Sequence, residues 1–193
     1  GTSMLSNAPS ATAPIPVIYG ARRVGGTRVF VGSSPGYNEE DGVSQENTEN
    51  HFLNIVLALC EGPVGSVEAV YLNNVQAWPI PDSRFNGKVK INVHIGTSSQ
   101  VVDQDLFNIA NEKGHPFEWT TNHRLQGVAY LYVRLEADQE VWASGTPTIS
   151  ADVKGAIVAD PRINIADGNT RMDRWSNNPA LCIRDYLTNT TYG

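Results

Sequence analysis

Two segments of the sequence alternate from one residue to the next, and this period of two most constrains the fold. In residues 88–95, valine and isoleucine alternate with lysine, asparagine and histidine. That pattern predicts a strand with one apolar face and one face in contact with water. In residues 127–136 one face carries Val128, Tyr130, Tyr132 and Arg134 and the other carries Ala129, Leu131, Val133 and Leu135. A helix would repeat every three or four positions, so both segments indicate β-strands.

An apolar run in the middle of the chain predicts a buried strand. Residues 52–60 are too short and too rich in β-branched side chains for a helix, and Glu61-Gly62-Pro63 ends the run. We therefore expect a strand that is buried on both faces. Residues 67–72 predict the next strand, with Asn73-Asn74 as its turn.

Turn residues and polar residues predict a hairpin and a loop in the N-terminal part of the chain. Gly25-Gly26 lies between β-prone residues of the segment 24–31, which predicts a hairpin. The polar stretch from Gly32 to Asn50 predicts a long surface loop, and for Gly36 to Asn50 an arm that orders against a neighbouring subunit is the alternative.

Near the other end, residues 148–154 and 156–158 predict two strands that are hinged at Gly155 and stopped by Asp160-Pro161.

Two short helices are expected. Asp103-Gln104-Asp105 begins one of them, with acidic residues at its positive end, and Gly114-His115-Pro116 breaks it. Asn178 as N-cap and Pro179 as first helical residue begin the other, of two to three turns.

The predicted strands, with only short helices among them, place the chain in the mainly β or α+β class. It has 193 residues, 40% of them hydrophobic and 18% charged, with 17 glycines and 11 prolines, so turns are frequent and a core can form. Disorder and coiled coils are excluded. The net charge of −6 offers no basic stripe for nucleic acid. No run of about 18 apolar residues predicts a membrane span.

The candidate metal ligands show no metal-binding spacing, which predicts no metal and no cofactor. The four histidines are His51, His94, His115 and His123. None of them stands in a zinc-type motif. Asp103 and Asp105 lack the glycine and distal glutamate of a calcium loop, so helix capping explains them better. A phosphate-binding glycine motif is also missing.

Candidate catalytic residues are scattered in the same way. Ser144-Gly145 lies in a turn rich in proline and threonine rather than in a nucleophile motif. Cys60 and Cys182 lie in apolar surroundings and are interpreted as buried thiols. A glycosidase pair remains open among four glutamates, which are Glu61, Glu118, Glu136 and Glu140. The sequence favours a chain that is not an enzyme.

The four tryptophans stand at segment borders, at positions 78, 119, 142 and 175. Core edges explain them, and so does an interface, because tryptophan is enriched at the centres of buried interfaces. A carbohydrate-binding module that uses Trp78, Trp119 or Trp142 as stacking platforms is a further alternative.

Three stretches carry a resemblance to a known family. They are residues 14–26, residues 53–70 with Leu59-Cys60-Glu61-Gly62, and a third stretch assembled from 123–129, 153–155, Asp160-Pro161-Arg162, 175–180 and 185–188. In order and spacing they resemble the tail-tip attachment or host-specificity proteins of lambda-like siphophages, which have relatives in the hubs of gene transfer agents. None of the three stretches is a catalytic motif.

The resemblance implies a phage tail hub domain with a β-barrel-like fold and short helices. It implies a homotrimeric ring in the virion, at the tail tip, that contacts the distal tail protein and the tape measure, connects the tail tube to the host-recognition apparatus and lines the DNA exit path. Such proteins are assembled in the bacterial cytoplasm. A peptidoglycan-degrading or carbohydrate-binding tail module is the alternative.

The expected organisation has three parts. Residues 1–13 form a flexible arm whose first three residues read as a cloning remnant, and residues 14–160 form the β-rich hub region. Whether that region is one domain or two intertwined subdomains is left open. Residues 161–193 form a loop and a C-terminal helix that leads to a next domain.

Overall fold

The computed structural model describes residues 14–36, 47–112, 116–161 and 173–190. Its elements in chain order are β1 (Ala21–Val24), β2 (Thr27–Gly36), β3 (Asn47–Glu61), β4 (Val64–Leu72), β5 (Val75–Trp78), a 3-10 helix (Ser83–Phe85), β6 (Val89–Ile95), α1 (Gln104–Ala110), β7 (Val128–Glu136), β8 (Ile149–Ala159), β9 (Asp173–Trp175) and α2 (Pro179–Thr188). The predicted arm of residues 1–13 lies outside the described residues.

Two antiparallel sheets form the body of the molecule. One has the strand order β1-β8-β4-β5, with β9 paired to β8, and the other has the order β2-β3-β7-β6. Over the described residues both sheets are open, and neither closes into a barrel. The predicted class, mainly β with short helices, is confirmed.

The main core lies between the two sheets. Leu131, Val133 and Leu135 of β7 point into it with Ile55 and Leu57 of β3, and all five side chains are buried. The opposite face of β7 places Tyr130 and Tyr132 in a second apolar cluster. The predicted phase of residues 127–136 is therefore confirmed, and so is the prediction that 52–60 is buried on both faces.

The second cluster covers the outer face of the four-stranded sheet. Leu106 and Ile109 of α1 pack there with Trp119. The polar face of β6 is therefore only partly in contact with water, since the side chain of Lys90 is 42% exposed and that of His94 is 19% exposed. Asn92 and His94 on that face are half-buried because both bond to Asp103, which begins α1.

The predicted hairpin at Gly25-Gly26 is also wrong. β1 pairs with β8 and β2 pairs with β3, so the two residues carry the chain from one sheet to the other. Gly26 has a φ of +67°, and a Cβ there would lie 2.8 Å from the carbonyl oxygen of Ala58. The glycines thus serve a crossing between sheets, which turn residues alone do not distinguish from a hairpin.

Two boundaries differ from the prediction in length. Residues 32–36 belong to β2 and residues 47–50 to β3, so both ends of the predicted loop of 32–50 are paired strand, and its middle lies outside the described residues. β8 is continuous through Gly155, without a hinge. A Cβ at Gly155 would lie 2.0 Å from the carbonyl oxygen of Ile18, so close packing explains this glycine.

The sheet edges define two sides of the sandwich. The two-residue crossing brings the edge strands β1 and β2 to the same side, which we call the open side. The other edge strands, β5 and β6, contact each other on the opposite side, which we call the closed side. Helix α2 packs on β8 through Leu181. Its predicted N-cap Asn178 and its first residue Pro179 are confirmed.

Candidate functional site

Asp103 is the centre of a polar cluster between α1 and β6. Its side chain is 1% exposed, and its Oδ1 accepts the backbone N–H of Leu106 at 3.0 Å. Its Oδ2 accepts hydrogen bonds from His94 Nε2 at 2.7 Å and from Asn92 Nδ2 at 3.0 Å. The predicted capping role of Asp103 is confirmed.

The electrostatics of this cluster are those of a structural site. Burial opposes the ionisation of Asp103, but the bonds from His94, Leu106 and Asn92 outweigh it and lower the pKa of the carboxyl group. Asp105 accepts from Asn92 Nδ2 at 2.6 Å and pairs with Lys90 at 2.7 Å. Amide and ammonium donors occupy these oxygens. Within the described parts of the chain no three His, Cys, Asp or Glu residues are grouped to hold a metal ion.

His51 and Glu136 form a second cluster, at the end of β7. Their Nε2 and Oε1 atoms lie 3.2 Å apart, and Lys88 also donates to Glu136. The bond from Lys88, opposed by partial burial and helped by His51, lowers the pKa of Glu136. His51, Glu136 and Trp142 line a cavity of about 260 Å³. A general acid needs a raised pKa, so Glu136 does not fit that role.

The glutamates proposed as a glycosidase pair are not all brought together. In the β3–β7 ladder Glu136 lies opposite Phe52 and Glu61 lies opposite Val128, which separates the two glutamates by about 27 Å along the strands. A catalytic pair needs about 5 to 9.5 Å. Glu118 and Glu140 are exposed, and Glu140 lines a different cavity of about 260 Å³ with Arg84 and Ser144.

The remaining histidines do not join a site either. His123 Nδ1 accepts the backbone N–H of Thr120 at 2.9 Å, and its ring stacks on Trp119 at 4.6 Å. His115 lies outside the described residues.

The tryptophans pack at the edges of the core. Trp119 is 5% exposed, which leaves no open ring face for a sugar. Trp142 donates from Nε1 to the carbonyl oxygen of Glu136 at 2.7 Å and stacks on Phe85. Trp78 is half-buried against the main core. Trp175 donates to the carbonyl oxygen of Gly20 at 3.1 Å. The core-edge interpretation fits all four.

The two cysteines are free thiols. Cys60 is buried, and burial, with the charge of Glu61, raises its pKa to about 12. Cys182 is half-buried and donates weakly to the carbonyl oxygen of Ser176 at 3.7 Å. A thiol that holds its proton this firmly is a poor nucleophile, so Cys60 belongs to the core.

Helix α2 carries an exposed apolar stripe that the sequence analysis missed. Ile183, Tyr186 and Leu187 are 60%, 53% and 71% exposed. With Tyr19 and Pro179 they line a shallow apolar groove of about 470 Å³. The spacing of i, i+3 and i+4 was the available signal, because Leu181 already supplies the contact with β8.

The open side carries a second groove and further exposed apolar residues. A groove of about 490 Å³ runs between the segment 14–19 and the β1–β2 crossing, and Arg22 and Thr27 line it. Along β2, Val29 and Val31 are 47% and 48% exposed. No signal in the sequence separates these valines from core valines, because their exposure depends on β2 being an edge strand.

The comparisons with known proteins point to phage particles. No family model matches the chain. The chain is 31% identical over 117 residues to the "Baseplate hub protein pb3" of Escherichia phage T5, a match that covers 56% of this chain and 12% of the phage protein. The chain thus spans about an eighth of that relative's length. The narrower resemblance to lambda-like tail-tip proteins stays a prediction.

A solved structure, "Virion of native gene transfer agent (GTA) particle", contains a chain that overlaps with 88% of this one and is itself covered to 33%. The TM-score is 0.49 and the sequence identity is 18%, values that do not establish a shared fold. None of the described helices has the length and apolar character that crossing a membrane requires.

Proposed function

We propose that this chain is a structural module of a phage tail, in the hub of the baseplate or tail tip. The observation that carries the proposal is the 31% identity over 117 residues to a phage baseplate hub protein. The module would act by assembly. It would join the tail tube to the host-recognition apparatus as part of the virion, after assembly in the bacterial cytoplasm.

The exposed apolar surfaces support an assembly role. The stripe on α2 and the valines of β2 are exposed apolar surfaces on two different elements, and a ring uses two different surfaces of each copy. Large exposed apolar residues that lie side by side mark interaction sites. In this proposal three copies form the ring, and the distal tail protein and the tape measure are their neighbours.

The acidic net charge of −6 suits a wall that DNA passes without binding, since the wall and the phosphates have the same sign. We also propose that the chain has no enzymatic activity. The lowered pKa of Glu136 and its separation from Glu61 support this, because a hydrolytic pair needs proximity and a protonated partner.

Localisation in the particle tests the proposal. Antibody labelling against this chain, followed by cryo-electron microscopy of the phage, should place the label at the tail tip around a threefold axis. Label on the capsid, or none on intact particles, would overturn the structural role.

Two solution measurements separate the alternatives. Zymography on purified peptidoglycan should show no lysis, whereas lysis that the Glu140→Gln variant loses would favour a wall-degrading module. Light scattering of the isolated chain should show a monomer or weak oligomer at micromolar concentration, because interfaces below roughly 1,000 Å² rarely hold in dilute solution.

A further inference from the structure

The edge of β2 on the open side is available to another strand. β2 pairs with β3 along one edge, and no strand in the described ranges pairs with its other edge. Val29 and Val31 are half-exposed along this strand. An edge strand presents unpaired N–H and C=O groups, and natural proteins usually protect it with charges, prolines or bulges. Here Val29 has no Cα partner on β3 and forms a bulge, and irregular pairing returns at Pro35, so the regular stretch of this edge runs from Phe30 to Ser34.

Arg22 supplies a charge at the mouth of the adjoining groove. It lies opposite Val153 in the β1–β8 pair, and Val153 is buried between the sheets. Arg22 therefore leaves its strand on the inner face at the sheet edge, where it lines the groove with Thr27, the first residue of β2. Its side chain has no partner among the described residues.

Arg23, the next residue along β1, has the ion pair that Arg22 lacks among the described residues. Arg23 donates to both carboxylate oxygens of Asp152, at 2.7 and 2.8 Å, and lies 3.7 Å above the ring of Tyr71. Arg22 is exposed and makes no such pair. The cation of Arg22 is therefore available to a carboxylate from outside the described chain.

The charge of the open side favours a binding partner with carboxylate groups. Residues 14–36 contain Arg22, Arg23 and Arg28 and no Asp or Glu, in a chain whose net charge is −6. Pairing of two β2 edges from two copies would supply no carboxylate for Arg22, because residues 14–36 contain none. An extended segment with carboxylates meets the opposite condition, since it pairs with the backbone of β2 and with Arg22.

We propose that the open side binds an extended segment of a partner chain. This segment adds a strand to β2 along residues 30–34, places an apolar side chain beside Val31, and pairs a carboxylate with Arg22. The inference deepens the proposed assembly function, because it names the chemistry of one contact.

A peptide selection tests this inference on the chain as it exists. A display library of random ten-residue peptides is selected on the immobilised chain, and enriched peptides are synthesised. We expect enriched sequences that alternate apolar residues and carry Asp or Glu. Hydrogen exchange should slow in β2 when such a peptide binds.

Three variants make the selection specific. Val31→Lys should weaken peptide binding by roughly tenfold or more, because a lysine on an edge strand obstructs strand addition. Arg22→Glu should weaken it roughly fivefold or more, and replacing the peptide's acid by lysine should restore binding to that variant. Ile80→Lys is the control, since Ile80 is 76% exposed in the β5–β6 connection, on the closed side.

Peptides that bind Val31→Lys as well as the parent chain, peptides without acidic residues, or no enrichment over an uncoated surface would overturn the inference. Dimerisation of the chain that Val31→Lys abolishes would do so as well. The particle labelling described above stands apart from these results, so failure of this inference and failure of the proposed function are distinguishable.

Discussion

The closed side and the open side of the sandwich differ in what contacts their edge strands. On the closed side the connection between β5 and β6 packs against the sheets, with Phe85 inserted in the main core and Asp82 N–H donating to the carbonyl oxygen of Gln76. Three ion pairs lie along this connection and β6, namely Asp82–Arg84, Lys88–Glu136 and Lys90–Asp105.

On the open side a groove remains, no described strand pairs with the outer edge of β2, and Arg22 lines the groove without a described partner. Among the described residues, one pair of sheet edges is thus contacted by a connecting segment, and the other pair is not. We therefore expect the closed side to contribute more to stability, and the partner contact that we propose lies on the open side.

One row of residues across the four-stranded sheet allows the sharpest test. Val31, Ile55, Val133 and Ile91 lie side by side from β2 to β6. Ile91→Asp should destabilise the protein by about 4 to 5 kcal/mol, because it buries an unpaired charge at a site that is 9% exposed. Val31→Asp, at the other end of the row, should cost at most about 1 kcal/mol. Urea unfolding of both variants gives the comparison, and equal losses would contradict it.

Phe85 tests whether the β5–β6 connection contributes to the main core on the closed side. Phe85→Ala should cost about 3 kcal/mol, because it leaves a cavity beside Trp142, whose ring stacks on Phe85 at 6.0 Å. Arg22→Ala on the open side is the matched control and should change the free energy of unfolding by less than about 0.5 kcal/mol. Thermal unfolding measures both. A loss at Phe85 no larger than the loss at Arg22 would mean that the connection does not contribute to the main core.

The Asp103 cluster should make the β6 side sensitive to acid. Because the folded protein lowers the pKa of Asp103, its carboxylate contributes stability that is present above the unfolded carboxyl pKa and is lost as the pH falls through the folded pKa. Asp103→Asn should therefore cost about 1 to 2 kcal/mol at pH 7, and less below pH 4. Urea unfolding across this pH range measures the difference, which would be constant if Asp103 were not ionised in the folded state.

The smallest effect concerns metal ions. Chelator treatment should leave the melting temperature unchanged, because the oxygens of Asp103 and Asp105 already accept bonds from amide, imidazole and ammonium groups. A large drop in melting temperature with chelator would show that a metal ion stabilises one of the two sides.

The sequence was most informative where a strand is central. The phase of residues 127–136 was correct because β7 has a neighbour on each edge and a covered layer on each face, so every side chain had to match its surroundings. The buried strand at 52–60 and both helix caps followed from equally local signals. Such features depend on periodicity and on hydrogen bonds within a few residues.

The features that depend on distant pairing could not be predicted in the same way. Gly25-Gly26 signals a turn, but only the pairing of β1 with β8 shows that the turn joins two sheets. Asn92 and His94 belong to a polar face by pattern, and only the position of Asp103 covers them. The exposure of Arg22 follows from the edge position of β1, which is set by pairing with β8 more than a hundred residues away.

Cysteine labelling inside and outside the particle tests the central claim most directly, which is that the open side joins this chain to the rest of a phage tail. Val31→Cys and the closed-side control Ile80→Cys are introduced separately, and both sites are exposed in the isolated chain. Both should react quickly with a maleimide in the isolated chain. In assembled particles Val31→Cys should become protected while Ile80→Cys stays reactive. Equal reactivity of Val31→Cys in the isolated chain and in the particle would contradict the account.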